Sequence, residues 1–324
     1  MKSLLLKVCI AALTAAILTF IVTKPSIIKQ SQMGSRLESP IVIFVNNRVP
    51  KCGSSLFMEV LTKLSKSMAN FTLIRSRDYS HYRIAAQDQQ KLKEVIVSDA
   101  QNSSSRTLLY DRHFHFVKFE SKPSIIFHYI NQLRDPLQRA LSQYYYERYI
   151  CDVIHVYQAC YMLHPSYHNL TLDTCVATGD PARCVTKPYG IHSSIAFFCG
   201  QESICDDTVS PPTSEAALSL AKRNIERYYI HVGLVEYIEG SLELLEHIQP
   251  LFTGIVRLYG QSFNRTRVYN TPAKYRHAAS NKTRAIIRSL LQAEYELYYF
   301  VRQRFIDHYT RVFQRTPLYH PPGH

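Results

Sequence analysis

A short polar loop in the first third of the chain has the composition of an anion-binding turn. Pro50-Lys51-Cys52-Gly53-Ser54-Ser55 follows an apolar, β-branched run and precedes apolar residues at helical spacing. A loop between a strand and a helix presents backbone N–H groups and a helix N-terminus, both of which bind phosphate. A Walker A loop places its lysine after the glycines, and Lys51 comes before the small residues, so an ATP-binding P-loop is not indicated. A simple helix cap is the alternative for such a turn.

A second candidate anion ligand follows another apolar run. Arg134 stands between that run and the pair Asp135-Pro136, and Ser142 falls in the helix predicted to follow. A guanidinium can bind phosphate with two parallel hydrogen bonds, and a helical hydroxyl can donate from the same side. The alternative is a solvent-exposed arginine in an ordinary strand-to-helix turn. The combination with the first loop favours a phosphate site.

Two histidines stand two residues apart in the segment Tyr110-Asp111-Arg112-His113-Phe114-His115-Phe116. If the segment is extended, His113 and His115 share one face. Transfer of a chemical group to a hydroxyl needs a base whose pKa lies near neutrality, which suits histidine. A structural role and a metal pair are the alternatives, although no third ligand stands at a suitable spacing.

These candidate residues need elements that position them, and the hydrophobic pattern supplies alternating strands and helices. The predicted elements are strands at 41–45, 124–130 and 229–234, a helix over 240–249 stopped by Pro250, and a long amphipathic helix over 283–313. Such alternation predicts an α/β fold with a mostly parallel central sheet and helices on both faces. The turn-rich stretch 151–207 is predicted to be an insertion that carries disulfides.

The charge balance points to an acidic partner. The chain has 38 Lys and Arg against 25 Asp and Glu, a formal charge of +13, with no block of like charge to account for it. A basic excess spread over a folded domain favours a polyanionic partner. A surface adapted for solubility, or a nucleic-acid patch, is the alternative.

The N-terminus is predicted to anchor the chain in a membrane. Lys2 and Lys7 flank an apolar run, so residues 1–7 are predicted as a cytoplasmic tail, 8–23 as a transmembrane anchor and 24–38 as a stem. Residues 39–324 would then form a luminal domain. A cleaved signal peptide is the alternative, but no small-x-small cleavage site follows the run.

Glycosylation signals and cysteine placement favour the same location. N-x-Ser/Thr sequons occur at Asn70, Asn102, Asn169, Asn264 and Asn281. The predicted local disulfides pair Cys175 with Cys184, Cys199 with Cys205, and Cys151 with Cys160. Metal binding by these cysteines is the weaker alternative, because no CxxC pair is present.

Several ordered motifs resemble the uronyl 2-O-sulfotransferase family over about residues 42 to 313. They are Asn47-Arg48-Val49-Pro50-Lys51-Cys52-Gly53-Ser54, Arg112-His113-Phe114-His115-Phe116, Arg134-Asp135-Pro136, Phe198-Cys199-Gly200-Gln201 and Glu294-Tyr295-Glu296-Leu297-Tyr298. The related heparan sulfate 2-O-sulfotransferases carry Thr-Ala-Ser where this chain has Cys52-Gly53-Ser54, so the uronyl branch is the better match.

The resemblance implies a P-loop-like sulfotransferase fold whose sulfate donor is 3′-phosphoadenosine-5′-phosphosulfate (PAPS), with no metal. It implies that Lys51, Cys52, Gly53, Ser54 and Ser55 bind the 5′-phosphosulfate, with Lys51 also stabilising the leaving group, that Arg134 and Ser142 bind the 3′-phosphate, and that His113 is the general base. Arg265 and Arg267 are further candidates for the cofactor. Asp111 stands where the heparan branch has a second histidine. Cys52 is expected to be a free thiol.

The implied acceptor is the 2-hydroxyl of a uronic acid in dermatan or chondroitin sulfate, with candidate contacts from Arg48, His81, His115 and Arg148. A Golgi membrane location and a homotrimer are the accompanying expectations. Heparan sulfate as acceptor and a non-catalytic glycosaminoglycan-binding protein of the same fold are the open alternatives. A nucleotide kinase is disfavoured by the loop order and the predicted luminal location.

Overall fold

The computed structural model describes residues 39–68, 71–76, 82–151, 170–186, 191–207, 213–262, 271 and 277–321. Pro40–His324 forms one compact unit. Several predictions fall outside the described residues: the tail, anchor and stem over 1–38, His81, Cys160, Arg265, Arg267, and the sequons at Asn70, Asn169 and Asn264.

A parallel sheet of five strands forms the centre of this unit, in the order β2-β3-β1-β4-β5. The strands are β1 Ile41–Asn47, β2 Thr72–Arg75, β3 Thr107–Arg112, β4 Ile125–Leu133 and β5 Tyr229–Leu234. The predicted parallel sheet is confirmed. Strand β1 lies in the middle, which explains why its sequence is an unbroken apolar run rather than an alternating one.

Helices follow the strands in the alternating pattern that the sequence predicts. They are α1 Ser54–Met68, α2 Ala86–Asn102, α3 Pro136–Tyr149, α4 Leu172–Thr178, α5 Pro181–Val185, α6 Ser194–Cys199, α7 Glu215–Tyr228, α8 Ile238–Ile248, α9 Ile255–Ser262, α10 Asn281–Leu290 and α11 Gln292–Phe313. Among the described residues, no helix is both long enough and apolar enough to cross a membrane.

The sheet separates two apolar clusters, so both of its faces are buried. Phe44 of β1 packs with α1, α8 and α9, whereas its neighbours Ile43 and Val45 belong to the larger cluster that α2, α3, α7 and α11 cover. Successive side chains of a strand point to opposite faces, which produces this division. Helices on both faces are therefore confirmed.

The predicted long helix over 283–313 is wrong in one respect. The segment forms two helices, α10 and α11, separated at Leu291, whose φ of −101° and ψ of 22° leave the helical range. The Leu291 N–H is shared between the carbonyls of Ile287 and Arg288 at 3.1 and 3.3 Å. Such a shared bond tightens the last turn of α10, so the two helices follow each other closely.

The insertion contains short helices closed by disulfides. Cys175 bonds Cys184, and Cys199 bonds Cys205, as the sequence predicts. Cys151 is also disulfide-bonded, while its predicted partner lies outside the described residues.

Candidate active site

The loop after β1, residues 50–55, forms a tight turn that we call the anion loop. Lys51 and Gly53 adopt left-handed conformations, with φ of 64° and 69°, and α1 begins at Ser54. A Cβ atom on Gly53 would lie 3.3 Å from Cγ2 of Val235, so both conformation and space favour glycine there. The turn places the N-terminus of α1, with its unpaired first N–H groups, directly after the carboxyl end of β1, as a phosphate cradle requires.

Two cationic side chains meet at this turn. Burial, together with the neighbouring charge of Arg134, lowers the pKa of Lys51 to about 7. The Lys51 ammonium lies 3.4 Å from the centroid of the Tyr146 ring. Burial also lowers the pKa of Arg134, and its Nε atom makes no hydrogen bond within the described residues. Glu147 opposes the change in pKa at Lys51, and Glu236 and Asp135 oppose that at Arg134, but neither cation forms an ion pair within the described residues. An anion bound between the two cations would therefore be stabilised by both.

Ser142 and Cys52 are the other described residues of the predicted donor site that lie outside the helix start. Ser142 lies two turns into α3, and Asp135 caps that helix by accepting from the Gln138 N–H at 3.0 Å. Cys52 is the free thiol that the sequence predicts; it is buried, and burial raises its pKa to about 12. The residues present therefore fit a group that carries phosphate or sulfate, and the buried, unbonded Arg134 Nε is the observation that carries this test.

A chain of buried side-chain hydrogen bonds joins the carboxyl ends of the central strands. Asn131 donates to the Asn47 carbonyl at 2.8 Å, and the Asn47 amide oxygen accepts from the Tyr229 hydroxyl at 2.7 Å. The Asn47 amide nitrogen donates to the Phe197 carbonyl at 2.9 Å. These hydrogen bonds satisfy buried polar groups, and they fix the end of β1, just before the anion loop, against the insertion.

His113 is held in one tautomer by Arg48. Its Nδ1 atom lies 2.7 Å from the Arg48 carbonyl, which can only accept, so Nδ1 carries the proton. Its Nε2 atom accepts from the Arg48 Nε–H at 3.1 Å. Burial and the Arg48 charge lower the pKa of His113 to about 3, so the ring is neutral near pH 7. The neutral ring with a lone pair on Nε2 has the form of a general base, but its lowered pKa makes it a weaker base than the near-neutral histidine expected from the sequence.

Asp111 balances the charge of Arg48. Its carboxylate lies 2.8 Å from Arg48 NH1 and 3.7 Å from Arg75 Nε, and it accepts from the Asn46 amide at 2.9 Å. Burial raises the pKa of Asp111, and the two arginines oppose that rise. The group is therefore an internal ion pair that orients the arginine on His113.

A second set of histidines surrounds Tyr82. We call His113, His115, His192, Tyr82 and Asp207 the histidine cluster. Ring centroids of the three histidines lie 6.0, 6.4 and 4.4 Å from that of Tyr82. His192 Nδ1 lies 3.0 Å from Asp207, which also accepts from the Ser193 N–H at 2.9 Å. His115 Nε2 lies 3.5 Å from the same carboxylate.

The Phe198-Cys199-Gly200-Gln201 motif supports this cluster. Gln201 donates to the His115 carbonyl at 2.6 Å and accepts from the Ile84 N–H at 2.8 Å. Gly200 has φ of 111°, and a Cβ there would lie 2.9 Å from the Phe116 carbonyl oxygen. The motif therefore clamps the histidine-bearing segment to the residues that present Tyr82.

The Glu294–Tyr298 motif of α11 is also structural. The buried Glu294 accepts from the Ser193 hydroxyl, from the Ser194 N–H at 3.0 Å and from Arg139 at 3.3 Å. It thereby caps α6 and fixes the start of the segment that carries His192. A carboxylate at a helix N-terminus is stabilised by the exposed N–H groups.

The same motif reaches the strand ends through its tyrosines. Tyr295 hydroxyl donates to Asp135 at 3.2 Å, and Tyr298 donates to Glu236 at 3.0 Å. Glu236 in turn accepts from the Asp135 N–H at 2.8 Å. The turns that follow β4 and β5 are thus held together from one helix.

The predicted acceptor contacts have different environments. Arg48 is buried against His113 and Asp111, and His115 is fully buried. Arg148 is buried with its guanidinium 3.3 Å from the Tyr144 ring centroid. An acceptor contact by His115 or Arg148 would require their side chains to move. Asn102 and Asn281, the two described sequons, are both exposed.

Four residues near the site were not predicted from the sequence, and neither was the role of Asp111 as a charge partner. The four are Arg75, Tyr82, His192 and Asp207. The sequence did contain a signal for Asp111. Residues two positions apart in an extended segment share a face, so Asp111 and His113 are expected on the same side. His192 and Asp207 had none, because they meet only through the folding of the insertion. Within the described residues, no group of three or more His, Cys, Asp or Glu could hold a metal ion.

Comparison with known proteins agrees with this architecture. Residues 42–301 match the model described as the sulfotransferase family, and the chain belongs to that family.

Within it, the resemblance to uronyl and heparan sulfate 2-O-sulfotransferases is confirmed. The chain is 32% identical to "Uronyl 2-sulfotransferase homolog pip" of Drosophila melanogaster, over 82% of this chain and 52% of the relative. It is 28% identical to uronyl 2-sulfotransferase of Homo sapiens, over 81% and 62%. It is 29% identical to heparan sulfate 2-O-sulfotransferase 1 of Xenopus laevis, over 86% and 76%. The chain thus spans between about half and two thirds of the length of its uronyl relatives.

Proposed function

We propose that this chain transfers a sulfuryl group from PAPS to the 2-hydroxyl of a uronic acid in dermatan or chondroitin sulfate. The observation that carries the proposal is the pairing of two parts at one sheet edge. The anion loop and Arg134 present buried positive charge to an anionic donor, and His113 presents a neutral imidazole in a defined tautomer. Parallel strands that end at the same edge bring these parts together, as open α/β sheets do with their ligands.

PAPS, when bound, would supply the activated sulfuryl group. The anion loop and Lys51 would hold its 5′-phosphosulfate, and Arg134 with Ser142 would hold its 3′-phosphate. His113 would accept the proton of the acceptor hydroxyl at Nε2 while the acceptor O–S bond forms and the bond from sulfur to the 5′-phosphate oxygen breaks. Arg48 must first withdraw its Nε–H from His113 Nε2. Lys51 and the N–H groups of α1 stabilise the charge that develops on the departing phosphate.

The acceptor assignment rests on the relatives and on the net charge of +13. The uronyl relatives and the heparan sulfate relatives resemble the chain to a similar degree, at 28% and 29% identity in the human and frog proteins. Heparan sulfate is therefore the alternative acceptor. The sequence Cys52-Gly53-Ser54 favours the uronyl branch.

We further propose a luminal location in the Golgi, with the N-terminal apolar run as a type II anchor and a homotrimer as the assembly. Formed disulfides at Cys175–Cys184 and Cys199–Cys205 support an oxidising compartment. Exposure of Asn102 and Asn281 leaves both sequons accessible to glycosylation. Removal of N-glycans from the cell-expressed chain should increase its mobility on a gel.

The test is a sulfate-transfer assay with the full chain purified in detergent. Radiolabelled PAPS is offered with dermatan, chondroitin or heparan acceptors, and disaccharide analysis locates the product sulfate. His113→Ala is compared with wild type, and His308→Ala, a histidine on α11 beside Arg304 and Arg311, is the matched control.

Label at the 2-position of uronic acid in dermatan or chondroitin, abolished by His113→Ala alone, supports the proposal. Label only in heparan sulfate moves the acceptor to the alternative. A wild-type chain that binds PAPS and glycosaminoglycan yet transfers nothing is a binding protein, and the catalytic proposal fails.

A further inference from the structure

His192 is a second imidazole beside the proposed base, and its environment is the opposite of that of His113. The His192 side chain is 22% exposed, whereas His113 is nearly closed off from solvent. Both rings pack against Tyr82, His192 edge-on with centroids 4.4 Å apart. A partly exposed imidazole therefore packs on the same tyrosine as the proposed base.

Asp207 determines the form of the His192 ring. The carboxylate is almost completely buried, and it lies 3.0 Å from His192 Nδ1. A carboxylate has no proton to donate, so Nδ1 carries the hydrogen and Nε2 is on the opposite side of the ring. Proximity to His192 and the Ser193 N–H holds the pKa of Asp207 below its usual value despite burial. A buried, ionised carboxylate in contact with an imidazole stabilises the imidazolium form.

The charged groups beside the two imidazoles therefore have opposite signs. His113 faces Arg48 and Arg75, and a positive charge on His192 further lowers the pKa of His113. His192 faces a carboxylate instead. When neighbouring groups have environments that separate their protonation states, they take different chemical roles. The neutral ring is suited to accept a proton, and the charged ring is suited to bind an anion.

We propose that His192, held as an imidazolium by Asp207, binds an anionic group of the acceptor sugar next to His113 and so determines which acceptors are used. This inference deepens the proposed sulfotransferase function and rests on it. The ligand chemistry is a carboxylate or a sulfate on the glycosaminoglycan chain. Nε2–H would donate a charge-assisted hydrogen bond to that group.

Other elements around His192 bring further charges that a pH experiment must take into account. The groups packed against it are Tyr82, His113, His115 and Asp207, and Arg139 donates to the His192 backbone carbonyl at 2.8 Å. Burial lowers the pKa of His115 to about 4, so that ring stays neutral between pH 5 and 8. Asp207 stays ionised there, since its pKa is lowered.

The test measures binding of dermatan sulfate by the full chain with 3′-phosphoadenosine-5′-phosphate present, using titration calorimetry from pH 5 to 8. Wild-type affinity should fall as pH rises, because the imidazolium loses its proton. His192→Gln should bind about 10-fold or more weakly at pH 5.5 and lose that pH dependence, as expected for a missing charged hydrogen bond. His192→Lys should restore affinity, Asp207→Asn should weaken it, and His308→Gln should behave as wild type.

Modified acceptors identify the anion. Carboxyl-reduced and desulfated dermatan are compared, and the one that wild type and His192→Gln bind equally lacks the group that His192 contacts. In transfer assays the KM for acceptor should rise in His192→Gln while kcat changes little.

Several outcomes would overturn the inference. Unchanged affinity in His192→Gln does so even if transfer proceeds, and a loss of kcat with KM unchanged would make His192 a proton acceptor instead. Binding by wild type without transfer removes the proposed function but leaves the comparison of affinities intact. Circular dichroism of each variant distinguishes misfolding from lost binding, and His192→Lys retains a test if His192→Gln misfolds.

Discussion

The anion loop and the histidine cluster lie at the same edge of the sheet, yet they balance charge in opposite ways. At the anion loop, burial lowers the pKa of both Lys51 and Arg134, and the charge of Arg134 lowers that of Lys51 further. Glu147 opposes the change in pKa at Lys51, and Glu236 and Asp135 oppose that at Arg134, but neither cation forms an ion pair within the described residues. In the histidine cluster and its neighbours, Arg48 is paired with Asp111, and His192 is paired with Asp207. In the first region the nearby carboxylates form no direct ion pair with the cations, whereas the second is compensated by direct ion pairs.

The difference shows what each ligand would have to do. A donor that carries phosphate and sulfate would offset the repulsion between Lys51 and Arg134, so its binding should raise the free energy of unfolding. An acceptor anion would instead compete with internal carboxylates for Arg48 or add to a ring already held by Asp207. Discrimination among acceptors is therefore expected to arise in the compensated region, because only well-placed anions can compete there.

The largest expected effect comes from removing charge at the anion loop. Arg134→Met should lower transfer by about 100-fold or more, since the anion loses a preorganised cation. It should leave the unfolding free energy of the empty protein unchanged or higher by about 1 kcal/mol, because an unpaired buried charge is removed. Transfer rates and urea unfolding of the empty protein check both parts. A strongly destabilised Arg134→Met would show that the loop is compensated after all.

Removing a carboxylate from the compensated region should instead lower the free energy of unfolding. Asp111→Asn leaves Arg48 buried without its carboxylate, and we expect a loss of about 3 kcal/mol in unfolding free energy. Lys118→Met, at an exposed pair with Glu120, is the control and should change little. Urea unfolding measures both variants. Equal stability of Asp111→Asn and wild type would contradict the internal pairing.

Acid should weaken the histidine cluster before it affects the anion loop. His113 and His115 have pKa values of about 3 and about 4 when folded, against 6.5 when unfolded. The unfolded chain thus takes up protons first, and stability is lost as pH falls below about 6.5, by about 1.4 kcal/mol per pH unit for each histidine. His115→Gln should flatten this slope by one histidine's share in urea unfolding. Constant stability between pH 6.5 and 4 would argue against buried neutral rings.

The smallest effect is expected at Cys52. Its thiol is buried, its pKa is raised to about 12, and it donates to the Pro50 carbonyl at 3.6 Å. Iodoacetamide should therefore leave it unmodified in the folded chain and alkylate it in urea. Cys52→Ala should retain transfer within a few fold. Rapid alkylation of the folded chain would mean that the anion loop opens readily.

The sequence by itself determined the elements whose patterns are local. Strands β1, β4 and β5, the helix after the anion loop and the Asp135 cap follow from apolar periodicity and turn chemistry within a few residues. The short strand β2 was missed because four half-exposed residues carry little pattern. The break at Leu291 was missed because the apolar spacing continues across it.

In the candidate site, too, some residues could be predicted from local patterns and others could not. The anion loop, Arg134 and His113 could be predicted because each lies in a recognisable motif at a strand end, and parallel strands necessarily bring such ends together. Only the tertiary structure shows that Arg48 contacts His113 and Asp111 and that His192 contacts Asp207. Their charges neutralise each other across segments that are remote or irregular in sequence, and a contact of that kind depends on packing, which no local pattern contains.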